Sequence, residues 1–344
     1  CRECSCQCVN ERKDASKIPF YQVIDGVRRS AVVQPDILRK ALEFVPTRGD
    51  VLQMSYPKCG THWMQYLTLL VLDEGLPVES YQEFATRSRS LEYIGVNDWD
   101  RDSSKEHPPY RALMTHLHPP PKERLNENVK YVYVARNPWD CCVSFYHHVS
   151  NLSPFKFQDG TFDEFVDAFV GCDFGYGDYF DHLLAGYALK DEPNVFFVTY
   201  EQMKRDTRGV LLRLAYFLNE KYGRTLENDE GLLRKLLEWS TPEHMRKVLV
   251  LHLEGTENPA MKGLLKGRTI YAKNGYQGNK SRYSFVRNGE IGGWKKHFTQ
   301  SQLMKMQARI FERTSGCDVM TLWKDVVEET GQVLRGDMKT RNVT

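Results

Sequence analysis

Apolar residues follow two spacings along this chain. Short, nearly continuous apolar runs bounded by turn residues predict buried strands over Val51–Ser55, Arg111–His116, Lys130–Ala135 and Val195–Thr199. Between them the apolar positions recur with helical period. Pro57 and Gly60 break the first strand, and Trp63, Met64, Leu67, Leu70 and Val71 then fall on one face of a helix starting at Thr61. Pro138 suits the first turn of a helix after the third strand. Further helices are predicted over 161–170, 176–190, 207–218, 228–238 and 241–251. Thr299 and Gln302 make a capping box ahead of Leu303, Met306 and Ile310. Strands alternating with helices predict an α/β fold of three layers, a central parallel sheet flanked by helices. From Gly255 to Gly293 the chain is rich in Gly, Asn, Lys and Arg with little apolar period, which predicts a long binding loop.

At 344 residues with 41% hydrophobic and 27% charged, the chain suits one large domain, expected over 19–330. Residues 1–18 read as a flexible Cys-rich tail and 331–344 as a C-terminal tail. A net charge of +2 argues against a nucleic-acid coat protein, while leaving room for a basic cleft that takes a phosphorylated small molecule. There is no run of about 18 or more apolar residues, and the first residues lack the apolar centre of a signal peptide. The expectation is a cytoplasmic protein without membrane or nucleic-acid partners. Four of the nine cysteines, Cys1, Cys4, Cys6 and Cys8, form one short run rather than the two separated pairs of a zinc site, so no metal is expected. Cys59, Cys141, Cys142, Cys172 and Cys317 read as small hydrophobes in a reducing compartment.

Tyr56-Pro57-Lys58-Cys59-Gly60-Thr61 joins a strand to a helix. Free N–H groups and the helix dipole favour an anion there, and Lys58 adds a positive charge. The lysine precedes the glycine, so this is not the Mg²⁺-holding loop of nucleotide kinases. The loop alone fits an anion site or an ordinary turn with a solvated lysine equally well.

The loop has company. YPKCGTHW resembles the donor-binding loop of the cytosolic sulfotransferases, usually YPKSGTTW. YVYVARNPWDCCVSFYHH resembles their 3′-phosphate segment, and FVRNGEIGGWKKHFT resembles their late R-K-G-x-x-G-D-W-K segment. THL at 115–117 and FVTYEQMKRD at 197–206 also fit, so the resemblance runs from about Phe20 to Cys317, in an overall cast closer to invertebrate members. It implies a P-loop-like fold, no metal, and 3′-phosphoadenosine-5′-phosphosulfate (PAPS) as co-substrate, leaving adenosine 3′,5′-bisphosphate (PAP). Lys58, Cys59, Gly60, Thr61 and His62 would then line the phosphosulfate. Trp63 would stack on adenine and Tyr200 would touch the purine. Arg136, Ser144, Arg287, Asn288 and Gly289 would surround the 3′-phosphate, and Ser240 stands where a nucleotide-contacting threonine is usual. His116 would be the general base, a role suited to imidazole near neutral pH, and Lys58 would neutralise the leaving oxygen. Lys58 and Arg136 each follow a strand, which places two cationic sites at the carboxyl edge of the sheet.

Four departures stand out. Met114 replaces the lysine before T-H-L, His62 replaces a threonine, Asn288 replaces a lysine, and Pro242 replaces an aromatic. Of the family's dimer segment only Lys295 and Thr299 remain, with Gln300 and Met304 in place of valine and glutamate, so a monomer or a different homodimer is expected. The acceptor is expected to be a small hydroxylated molecule: a phenol, a catecholamine-like amine or a sterol. The resemblance implies that positions near Phe20, Ser90 to Tyr93, His148 and the loop around 255–285 line its pocket, with Phe20, Tyr93 and His148 as candidate contacts, while Glu92 reads as a solvated carboxylate or an amine partner. A nucleotide kinase, a binding protein without chemistry, a catalytically weak or inactive relative and a membrane-anchored carbohydrate sulfotransferase are the alternatives.

Overall fold

The computed structural model describes residues 18–96, 110–252 and 282–336. An antiparallel hairpin of β1 (Tyr21–Ile24) and β2 (Val27–Ser30) precedes the main sheet. That sheet contains β3 (Asp50–Met54), β4 (Ser88–Ser90), β5 (Arg111–Thr115), β6 (Lys130–Ala135) and β7 (Val195–Thr199), in the order β4-β5-β3-β6-β7. All four pairings are parallel. A second small pair, β8 (Val250–His252) and β9 (Arg282–Ser284), is antiparallel.

Alternation along each strand feeds two cores, one on each face of the sheet. Tyr131, Tyr133 and Ala135 of β6 join one cluster, packed by the helices Pro138–Asn151, Phe162–Gly171, Tyr179–Tyr187 and Gln300–Thr314. Val132 and Val134 join the other, packed by Thr61–Leu72, Thr207–Leu218 and Glu230–Trp239. This is the three-layer α/β architecture the sequence predicts. Buried Asp50 accepts from Arg111 Nε at 2.7 Å and Nη2 at 2.8 Å, a paired contact that fixes where β3 and β5 begin.

Several elements differ from expectation for physical reasons. Every residue of the helix Thr61–Leu72 except His62 is buried, so its apolar spacing marks no single inner face. The helix expected over 176–190 spans only Tyr179–Tyr187, because Gly175 and Gly177 hold positive φ and Asp178 caps the first turn. The segment expected as one helix over 241–251 ends at Val248 and continues as β8. Part of the expected 255–293 loop is the strand β9, and 253–281 lies outside the described residues. The helix Lys324–Arg335 runs across residue 331, where a tail was expected, and buries Val333. Residues 1–17 of the Cys-rich tail and 337–344 lie outside the described residues.

Candidate active site

The neighbouring strands β3 and β6 deliver Lys58 and Arg136 to the same edge of the sheet. After β3 the chain turns sharply. Lys58 has φ 71° and Gly60 has φ 101°. A Cβ on Gly60 would meet Tyr200 Cδ2 at 2.7 Å, so only glycine fits this turn. The Gly60 carbonyl accepts from Trp63 and Met64 N–H, each at 3.1 Å, which starts the helix. The first N–H groups of that helix have no intrahelical acceptor and remain at the cavity wall.

A cavity of about 200 Å³ lies over this edge. Its lining brings together Lys58, Gly60, Thr61, His62, Trp63, His116, Arg136, Ser144, Tyr200, Ser240, Arg287, Asn288 and Gly289. Arg136 sits between the two loops: Nη1 donates to the Lys58 carbonyl and Nη2 to the Glu290 carbonyl, both at 3.1 Å. Its guanidinium lies 4.3 Å from the Tyr200 ring centre, and among the described residues its buried Nε has no partner. Trp63 meets Tyr200 edge-on at 5.6 Å. Ser144 lines the cavity from the helix Pro138–Asn151, and Ser240 closes the helix Glu230–Trp239. Gly289 has φ 67°, and a Cβ there would approach Pro242 Cγ at 3.3 Å.

His116 follows β5, and its Nδ1 lies 2.8 Å from the Ser55 carbonyl. A carbonyl only accepts, so Nδ1 carries the proton and Nε2 keeps its lone pair. Burial, reinforced by Lys58, pulls the imidazole below its ordinary value of 6.5, against Glu92 and the Ser55 carbonyl, which act the other way. Lys58 itself is pulled down to about 7, first by burial and then by Arg136 and Arg287. His62 is pulled to about 3 by burial, Lys58 and His116, so its ring is neutral. It lies flat against Phe285 at 4.3 Å, in a column with Tyr81 and Phe84.

Some candidates sit elsewhere. Cys59 is 1% exposed with Sγ 3.8 Å from Cys141 Sγ, so its thiol faces the core rather than the cavity. Phe20 is exposed at 43% under the Lys156 ammonium and does not line the cavity. Tyr93 and His148 do line it. Tyr93 stands edge-on to His116 at 6.1 Å, and His148 Nδ1 lies 2.6 Å from the Tyr283 hydroxyl. Glu92 is buried, not solvated. It accepts from the His116 N–H at 2.7 Å and the Thr115 hydroxyl at 3.0 Å.

The Sulfotransferase domain profile matches residues 48–318. The chain belongs to the sulfotransferase family. It is 30% identical to human sulfotransferase 1C2 over 264 residues, covering 74% of this chain and 79% of the relative. It is 27% identical to mouse sulfotransferase 1B1 over 282 residues, covering 80% and 85%. Mouse sulfotransferase SULT7A1 complexed with PAP superposes with a TM-score of 0.60 at 23% identity, over 90% of this chain and 99% of that one. Retinol dehydratase in complex with androsterone and inactive cofactor PAP does so with 0.60 at 23%, over 81% and 87%. These two structures bear on the fold alone. This sulfotransferase uses PAPS as co-substrate and transfers its sulfuryl group to hydroxyl acceptors.

The residues present fit a donor with two anionic ends. Lys58, Arg136 and Arg287 line one cavity, the Arg136 Nε lacks a partner among the described residues, and glycine at position 60 clears the wall beside Tyr200. Among the described residues no group of three or more His, Cys, Asp or Glu could hold a metal ion. Among them, too, no helix is long and apolar enough to cross a membrane.

Three residues that lie inside the quoted segments but were given no role there hold this sulfotransferase's site in shape. Buried Asp140 accepts from Gly292 N–H at 2.7 Å and Trp294 N–H at 3.0 Å, tying the late segment to the helix after Arg136. Asn137 caps that helix and donates to Glu201 at 2.6 Å, and Glu201 also accepts from Trp323 Nε1 at 2.6 Å. The sequence signals were their places inside those segments and the capping pattern of Asn137 three residues ahead of Asp140.

Proposed function

We propose that His116 is the general base and Lys58 the residue that stabilises the leaving oxygen, with a small, flat, uncharged hydroxylated molecule as acceptor. The observation that carries this reading is the Nδ1 contact of His116 with the Ser55 carbonyl at 2.8 Å, which leaves Nε2 free in the cavity that Lys58 also lines. Glu92 accepts from the backbone N–H of residue 116 and anchors that position, while the Ser55 carbonyl holds the ring.

PAPS supplies the sulfuryl group. Nε2 of His116 takes the proton of the acceptor hydroxyl as that oxygen becomes a nucleophile. Lys58 and the first N–H groups of the helix Thr61–Leu72 offset negative charge that grows on the departing phosphate side. Arg136, Arg287 and Ser144 hold the 3′-phosphate; the planar fork of Arg136 suits a terminal phosphate. Trp63 and Tyr200 supply flat faces for the purine. Met114 leaves Lys58 as the motif lysine at the transfer site, so the burden on Lys58 is heavier than in relatives with K-T-H-L.

Val32, Tyr93, Ile94, Leu152 and Tyr176 line the remaining wall and favour an apolar ring system. The Glu92 carboxylate is committed to Thr115 and His116, which removes the nearest partner for an amine and favours phenols and sterols over catecholamine-like acceptors.

The test is incubation with sulfur-labelled PAPS and a panel of phenols, amines and sterols. Label on a phenol or sterol, lost in His116→Ala while PAP still binds, supports the assignment. Undiminished transfer by His116→Ala removes His116 from the role, and PAP binding without transfer to any acceptor points to an inactive relative.

A further inference from the structure

β4 reads Ser-Arg-Ser and forms one edge of the main sheet. It runs parallel to β5 with Ser88 beside Ala112 and Ser90 beside Met114. The two-residue period of a strand puts both serines on one face and Arg89 on the other. That face is the cavity wall. Ser88 and Ser90 are 3% and 4% exposed, and among the described residues neither hydroxyl has a hydrogen-bond partner. Beside them the cavity lining is apolar, from Phe84, Ala85, Ile94 and Met114. A buried hydroxyl with no partner is destabilising, and two on one wall of a binding cavity are matched most simply by a polar group on the ligand.

We propose that Ser88 and Ser90 form a second polar subsite, which takes an uncharged hydroxyl or carbonyl at the end of the acceptor remote from the sulfated oxygen. This rests on the reading that the acceptor hydroxyl sits at His116. With about 3.3 Å per residue along a parallel strand and about 4.8 Å between strands, the Cα atoms of Ser90 and Ser88 lie roughly 8 Å and 14 Å from that of His116. An acceptor that spans this distance is rigid, apolar in the middle and oxygenated at both ends. The group is neutral because the cations Lys58, Arg136 and Arg287 belong to the donor end, and Glu92 is already engaged by Thr115 and His116. A charge at the serines would be buried without a counter-charge.

The probes are 4-hydroxybiphenyl, 4,4′-dihydroxybiphenyl and 4′-hydroxybiphenyl-4-carboxylate. Each is titrated calorimetrically into the full chain loaded with PAP, and kcat/KM is measured with PAPS. Two added hydrogen bonds should improve binding and kcat/KM of the dihydroxy probe by about tenfold over the monohydroxy one. The carboxylate should bind worse than either. In the double variant Ser88→Ala, Ser90→Ala the preference should vanish while PAP affinity is retained. Equal binding of the mono- and dihydroxy probes by the wild-type chain overturns the subsite, whatever the variant's fold. So does a preference that persists in a double variant that still binds PAP, or a carboxylate that binds best. Preferential binding of the dihydroxy probe without transfer to any probe would count against the proposed transfer, pointing to an inactive relative, and leave the subsite standing. Transfer without preference would do the reverse.

Discussion

The Arg136 guanidinium donates to the backbone carbonyl of Lys58 at 3.1 Å, across a separation of 78 residues. Its other terminal nitrogen holds the Glu290 carbonyl at the same distance. One side chain therefore clamps the loop after β3 and the late loop together, and also lines the cavity proposed for the donor. A lysine keeps the charge and loses the span. Arg136→Lys should weaken PAP binding at least tenfold, and Arg136→Ala by about 2–5 kcal/mol. Calorimetric titration checks this, and a lysine variant within twofold of wild type would refute the clamp.

Lys58 should make donor binding pH-dependent. Its pKa of about 7 reflects burial and two nearby guanidinium groups. Between about pH 7 and pH 9 the free protein has a largely neutral Lys58, whereas a bound anion favours the ammonium, so binding takes up a proton. PAP affinity should fall as pH rises through this window, by up to about tenfold per unit. Calorimetry in buffers of different ionisation enthalpy should register the proton uptake, and Lys58→Met should abolish both effects.

His116 should act as a base below the usual histidine range, because burial holds its pKa under 6.5. A neutral imidazole is required, so the acid limb of kcat/KM should lie under that value, with activity lost only as the pH falls further. Glu92 opposes the shift. Glu92→Gln should therefore move the limb to still lower pH, an effect that a purely structural role would not produce. Rate profiles with a neutral naphthol from about pH 5 to pH 8 would show it, and an unmoved limb would remove Glu92 from the pair.

Gly60 combines left-handed backbone with a close neighbour, whereas Gly26, at φ 77°, has no atom of the described residues within 4 Å of where a Cβ would stand. Gly60→Ala should cost about 2–4 kcal/mol and Gly26→Ala about 1 kcal/mol. Denaturant unfolding separates them, and equal losses would mean that Tyr200 yields without cost.

The cysteines should split by access. Cys317 is exposed, while Cys59 and Cys142 are buried and have their thiols pushed well above the ordinary value by that burial. Brief iodoacetamide treatment followed by peptide mapping should find Cys317 alkylated and the other two protected.

The sequence alone determined the features that local chemistry fixes. Val51–Met54, Lys130–Ala135 and Val195–Thr199 were legible as strands because parallel strands buried on both faces need near-continuous apolar runs. The motif residues Lys58, Arg136 and His116 could be picked out as candidates only through the resemblance of their segments, since a lysine, an arginine or a histidine after a strand is by itself an ordinary solvated or core residue. β4 was not, since Ser-Arg-Ser carries no apolar signal and exists as a strand only through its pairing with β5. Only the tertiary structure decided which side of the chain each group faces. It turned Cys59 into the core, left Phe20 outside the cavity, and committed Glu92 to the backbone beside His116. It joined Asn137 to Glu201 and Asp140 to Trp294 across 64 and 154 residues. Such contacts depend on how the strands are ordered in space, and no spacing along the chain encodes that order.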